Sequence, residues 1–256
     1  MGVPPASSEL ALQQRLLRFW WGPARRKDEL VDLATRLRQS GTVAVFGGMV
    51  RDFAIQGAVS FRSDVDLVVE TDDPDHLDWL IRDRSAIKNR FGGWRLQLDH
   101  WMVDLWAAEK TWAFAEKHVD GQSIRDLTKT TFFNWDAAVF EIDSGVLHLL
   151  DGYVASVKSG VLDINLAENP NPPGIVVRAL ELMRKHKASV TPRLAWYLAN
   201  IIARQRDEIT HRYGNGKHKF WLTEGALMDL QNSLNIHFEK APLLPFQLPR
   251  GQERLL

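Results

Sequence analysis

Residues 45–57 read VFGGMVRDFAIQG and residues 62–70 read RSDVDLVVE. The first stretch closes a short β-rich run, 42–46, on Gly47-Gly48 and then continues as a helix over 49–55. Glycine lets the backbone approach a phosphate closely, and a helix N-terminus offers N–H groups and partial positive charge. A bare glycine pair is most often only a tight turn; its place ahead of the second stretch is the informative feature. That second stretch predicts a buried strand over 64–70 with Asp64 and Asp66 at its start. Side chains at i and i+2 project from one face, so the two carboxylates repel unless protonated or bridged by a cation.

A third acid strengthens the pattern. Asp104 stands inside the apolar run WMVDLWA, residues 101–107, with Val103 and Leu105 facing the other way. If that run pairs beside 64–70, Asp104 completes a three-carboxylate cluster. Hard oxygen ligands of this kind favour Mg²⁺ or Mn²⁺, and such a cluster can hold two metals about 4 Å apart for in-line phosphoryl transfer. The plainer reading has Asp64 capping a turn, Asp66 pairing with Arg51 or Arg62, and Asp104 pairing with a lysine.

Outward from this centre, Ser7 and Ser8 can cap a helix over 10–20, and a second helix is expected over 28–39, ending at Gly41. A helix is expected over 73–84. A hairpin is expected from 94–98 and 101–107, turning at Asp99-His100, with further strands at 132–142 and 146–150 about the DSG turn. Three prolines and a glycine at 167–174 mark a linker, followed by helices over 175–187, 192–206 and 221–234 and an extended tail from Ala241. The expected organisation is α+β: N-terminal helices over 1–40, a catalytic part over 41–167 and a mainly helical part over 168–256. Trp101, Trp106 and Trp112 have apolar neighbours and read as core.

The chain has 256 residues, zero formal net charge, 45% hydrophobic residues and no cysteine. Disulfide scaffolds, cysteine zinc sites, iron–sulfur clusters and thiol nucleophiles are excluded. The charge is uneven, at +3 over 1–40, −8 over 41–167 and +5 over 168–256; an acidic, metal-binding centre between polyanion-facing parts and an unevenly charged solvated surface are both open readings. The basic residues Arg204, Arg206, Arg212, Lys217 and Lys219 lie among Tyr213, Phe220 and Trp221; a nucleic-acid face and ordinary surface charge are both open readings. The apolar runs are too short to span a membrane, and the first residues lack the layout of a signal peptide. The expectation is a cytoplasmic protein with no membrane contact.

The stretch VFGGMVRDFAIQG…RSDVDLVVE resembles the head domain of the DNA polymerase β-like nucleotidyltransferase superfamily, and within it the branch of class II CCA-adding enzymes and bacterial poly(A) polymerases. Gly47, Gly48, Val50, Arg51, Asp52, Asp64 and Asp66 match its Gly-Gly-x-Val-Arg-Asp turn and Asp-x-Asp strand. The resemblance implies a small mixed sheet with helices, two Mg²⁺ ions, and transfer of a nucleoside monophosphate from an NTP, with Asp104 as third carboxylate. FNWDAAVF, residues 133–140, resembles the nucleotide-touching Phe-Thr-x-Asn-Ala motif, with Asp136 at the asparagine position; the Arg-Arg-Asp expected ahead of it is absent. PGIVVRALELMRKHKASVTP resembles the neck helix, where Arg178 and Arg184 stand as phosphate- or base-facing arginines and Glu181 replaces an arginine.

On this reading Asp64, Asp66 and Asp104 are the catalytic and metal-holding residues. Gly47, Gly48, Arg51, Arg62, Asp136 and Arg178 bind the nucleotide, the arginines because guanidinium matches phosphate geometry; the plain alternatives are that Arg51 pairs with Asp52 or Asp66 and that Arg62 is solvated. The default acceptor is an RNA 3′ end, that of tRNA. Alternatives are nucleotidylation of a protein or small molecule, and a non-catalytic nucleotide-binding module.

Overall fold

The computed structural model describes residues 3–23, 27–58, 61, 63–89, 91–218 and 220–249. The chain forms two compact units, Met1–Lys158 and Ser159–Leu256. The first runs α1 (Glu9–Trp21), α2 (Asp28–Leu37), β1 (Thr42–Phe46), α3 (Gly48–Gln56), β2 (Val65–Glu70), α4 (Pro74–Ile81), β3 (Ala86–Lys88), β4 (Trp94–Gln97), β5 (Met102–Ala107), α5 (Trp112–Ala115), β6 (Ala138–Glu141), β7 (Leu147–Leu149) and α6 (Tyr153–Ser159). Its helices open where side chains can cap them: Ser8 accepts from the Ala11 N–H at 3.2 Å, and Asp73 from the His76 N–H at 3.2 Å.

The strands form one mixed sheet in the order β3-β4-β5-β2-β1-β6-β7. β2 and β5 pair in parallel, and the other neighbours are antiparallel. Period-2 alternation sorts the side chains. Val43, Val45, Val65, Leu67, Val69, Val103 and Leu105 are fully buried and share one face. On the other face Ala44, Val68 and Val139 pack with Ala108, Phe114, Ile124 and Leu127. Each buried valine, leucine, isoleucine or phenylalanine among them contributes roughly 1.5–3 kcal/mol by leaving water. Both faces of the central strands are therefore covered, except toward the edge where β1 ends and β2 and β5 begin.

The second unit holds β8 (Val161–Leu162), α7 (Pro172–His186), β9 (Ser189–Val190), α8 (Pro192–Tyr213) and α9 (Glu224–Lys240). β8 and β9 form a short parallel ribbon, and the tail is pinned where Phe246 bridges Val190. Among the described residues no helix is long and apolar enough to cross a membrane.

The α+β architecture matches the sequence expectation, with local differences. The proline-rich stretch expected as linker opens α7 instead: Asn171 accepts from the Gly174 N–H at 3.2 Å and Pro172 takes the first helical position, where its missing N–H costs nothing. The strand expected over 132–142 is strand only at Ala138–Glu141; Asn134–Asp136 is a 3₁₀ turn. It is held tertiarily, by Tyr153, whose hydroxyl donates to Trp135 O at 2.9 Å, and by Arg51, which pairs with Asp136. Helix α8 continues beyond Arg206 to Tyr213 through a non-helical Gln205, and α9 starts at Glu224, capped by Thr223. β3 and α6 carry too few residues to register as a pattern in sequence.

Candidate active site

One row of register partners carries the site. Phe46 on β1 lies opposite Asp66 on β2, Asp66 opposite Asp104 on β5, and Asp104 opposite Arg95 on β4. Register partners project from the same face, so a phenylalanine, two carboxylates and a guanidinium stand side by side across four strands. Asp64 precedes β2 and shares the parity of Asp66. The sheet thus sets Asp66 beside Asp104 with Asp64 just ahead of them, and adds a cation, Arg95, beyond Asp104 in the row.

Arg95 donates from Nε to Asp104 Oδ1 at 2.8 Å, from Nη2 to Asp104 Oδ2 at 2.5 Å, and from Nη2 to Asp64 Oδ2 at 3.4 Å. The Arg95 side chain is 49% exposed and that of Asp104 23%. The hydrogen bond to Asp104 holds the Arg95 pKa above its ordinary value, with Asp64 and Asp66 adding attraction. The three acids therefore do not stand as a ready-made metal cage: among the described residues no three carboxylates or imidazoles are grouped to hold an ion. The donor chemistry still suits a hard divalent cation, since Asp66 and Asp104 adjoin across the parallel pair and Asp64 reaches the same guanidinium as Asp104.

Arg95 was absent from the sequence reading, yet a signal for it existed. The turn at Asp99-His100 pairs Leu98 with Trp101, whose carbonyl accepts the Leu98 N–H at 2.8 Å. Counting back through that hairpin places Arg95 opposite Asp104.

The glycine turn lies at the same sheet edge. Gly47 has φ +62° and ψ −111°, a conformation open to glycine and strained for other residues. Its N–H donates to Ala138 O at 3.0 Å, tying the turn to β6. Gly48 begins α3, whose first-turn N–H groups have no intrahelical acceptor.

Arg51, expected as a phosphate contact, is instead a buried positioning group. It is 1% exposed and Asp52 is fully buried. Arg51 donates to Asp52 Oδ1 from Nε at 3.0 Å and from Nη2 at 2.9 Å, and pairs through Nη1 with Asp136. Ser63 Oγ donates to Asp52 Oδ2 at 3.2 Å. Burial by itself would lower the Arg51 pKa, but Asp136 and Asp52 hold it raised. Burial pushes the nearby Tyr153 phenol upward, and Asp136 adds to it. Asp136, expected at the nucleotide, has this ion pair and retains 18% exposure. The pair links the 3₁₀ turn before β6 to α3.

An open cleft of about 570 Å³ borders Asp66, Arg95 and Asp104. Phe91, Trp106 and Trp112 line it with Lys88 and Lys110. Trp106 and Trp112, read from sequence as core, are only partly buried and form part of this wall; Trp106 donates from Nε1 to Thr111 Oγ1 at 3.0 Å. Trp101 does pack with core aromatics, stacked on Phe61 at 5.5 Å between centroids.

The remaining expected residues fall elsewhere. Arg62 and Lys219 lie outside the described residues, as does the side chain of Lys217. Arg178 is in the second unit on α7, 40% exposed and 3.7 Å from Glu181. Arg184, on the same helix, lies over the Trp221 ring at 5.0 Å. Arg206 and Arg212 have carboxylate partners, Glu224 at 3.8 Å and Glu208 at 2.9 Å, which dilutes the basic face expected there.

The fold is that of a polymerase β-like nucleotidyltransferase head followed by a helical neck-like unit. Solved structures it resembles include CCA-adding enzymes and a tRNA nucleotidyltransferase. The CCA-adding enzyme of Thermotoga maritima complexed with tRNA superposes with a TM-score of 0.56 at 16% identity, covering 88% of this chain and 54% of that one. An apo tRNA-processing enzyme gives 0.56 at 17% identity, over 90% and 61%. A tRNA nucleotidyltransferase complexed with a primer tRNA and an incoming ATP analogue gives 0.52 at 17% identity, over 78% and 59%. The chain thus spans little more than half the length of these proteins. Neither a family model nor a curated protein matches the sequence.

Proposed function

We propose that the first unit transfers a nucleoside monophosphate from an NTP to an acceptor hydroxyl and releases pyrophosphate, the acceptor being a tRNA 3′ end. The observation that carries this reading is the register row: Asp66 and Asp104 adjoin on parallel strands, at the edge where the glycine turn opens α3. The likeness to tRNA-bound structures supports the choice of acceptor.

Bound at Asp64, Asp66 and Asp104, Mg²⁺ or Mn²⁺ would supply Lewis acidity to the attacking hydroxyl and the triphosphate. The chain's own residues do the rest. The Gly47 turn and the first N–H groups of α3 receive phosphate oxygens. Buried Arg51 fixes the angle between that helix and the turn carrying Asp136. Asp104, on the strand beside Asp66, accepts the hydroxyl proton once it is free of Arg95. Phe91, Trp106 and Trp112 offer faces on which a base can stack, and Lys88 and Lys110 offer charge for phosphates.

The test is incubation of the chain with Mg²⁺, each labelled NTP and total RNA, alongside Asp66→Asn. Label in tRNA, lost by at least a hundredfold in the variant, is expected. Label in protein or small molecules would move the acceptor to the second class. No transfer with any NTP, or full activity in Asp66→Asn, would refute the reading.

A further inference from the structure

We propose that Arg95 is an internal counter-ion that competes with the divalent cation for Asp64 and Asp104. The inference rests on the reading of those acids as metal donors, and concerns how their charge is handled before metal arrives.

The geometry argues against a passive surface arginine. Arg95 faces Asp104 as its direct register partner, and both guanidinium bonds to Asp104 are short and parallel, the fork arrangement that suits a carboxylate. The same Nη2 reaches Asp64. One cation thus bridges two of the three acids at the spot where a metal would have to bind both. Asp64, Asp66 and Asp104 with no cation nearby would carry three like charges at one sheet edge; with Arg95 in place the metal-free edge carries a net of two negative charges and repels itself less. Metal entry then requires Arg95 to release Asp104. At 49% exposure its side chain can swing into the adjoining cleft, which it also lines. Its presence both keeps the metal-free edge folded and weakens metal binding.

The experiment is a titration of the metal-free full chain with Mn²⁺ alone, followed by electron paramagnetic resonance of the free ion, in wild type, Arg95→Gln, Arg95→Lys and Asp104→Asn. Arg95→Gln should bind Mn²⁺ about threefold to tenfold more tightly, the range set by loss of a partly exposed, forked ion pair. Arg95→Lys, which keeps the charge but loses the fork, should tighten binding about twofold, and it carries the test if the glutamine variant does not fold. Asp104→Asn should bind several-fold more weakly. Equal or weaker binding in the arginine variants overturns the competition. Absence of Mn²⁺ binding in every protein, wild type included, overturns instead the assignment of the acids as donors.

Discussion

Arg51→Met removes the cation from the buried cluster that holds α3 against the turn before β6, while keeping an apolar stem of similar length. Asp52, fully buried, loses both of its bonds from Arg51, and Asp136 loses its ion pair. Removing one partner of a buried ion pair costs about 3–5 kcal/mol, because the other charge stays out of water. Asp136 can turn toward solvent at 18% exposure, so Asp52 carries most of that cost. For a unit of this size each kcal/mol moves Tm by about 2–4 °C, giving a fall of roughly 6–20 °C. Urea unfolding followed by circular dichroism, with calorimetry for Tm, measures it. Asp136→Asn is the companion: it removes one of two carboxylates and leaves Arg51 with Asp52 as a neutral pair, so the loss should stay below about 1.5 kcal/mol. An Arg51→Met loss under about 1 kcal/mol, or equal losses for both variants, would refute the picture of a buried cluster centred on Arg51.

Two further outcomes follow from the same structure. Gly47→Ala meets only ordinary contact, 3.7 Å from Asp136 O, but must hold φ +62°; the backbone penalty should be about 1–3 kcal/mol by urea midpoint, with a larger proportional loss of NMP transfer as α3 is re-aimed, and an alanine variant as stable as wild type would show that the turn tolerates side chains. Burial pushes the Glu141 carboxyl up, but hydrogen bonding with His148 at 2.6 Å and from Ser144 at 2.6 Å outweighs it and holds the pKa below the ordinary value. A depressed carboxylate pKa stabilises the fold above the unfolded value of about 4.3, and that gain disappears as pH falls through the folded pKa. Glu141→Gln should therefore be about 1–2 kcal/mol less stable than wild type at pH 7, with the gap closing below about pH 4.3; a gap independent of pH would contradict this.

The site was legible in sequence where the information is local. Asp64 and Asp66 share a face because strand side chains alternate, and Gly47 must be glycine because the strand-to-helix turn demands a positive φ. The hairpin register, set by its turn at Asp99-His100, held Arg95 opposite Asp104 for anyone counting back from it. The motif neighbours of Arg51 suggest phosphate and the adjacent Asp52 suggests an ion pair; its second partner, Asp136, stands 85 residues away and leaves no local trace. Pro172 and Pro173 carry the signature of a linker, but Asn171 ahead of them caps the helix that they open.

By itself the sequence determined the strand and helix periods, the glycine turn and the pairing of acids two residues apart, since each follows from backbone geometry within a few residues. Only the tertiary structure decided that β5 lies parallel to β2, which sets Asp104 beside Asp66. It also decided that Arg51 is buried and Arg95 stands among the acids, because strand order and burial depend on how distant segments share one core.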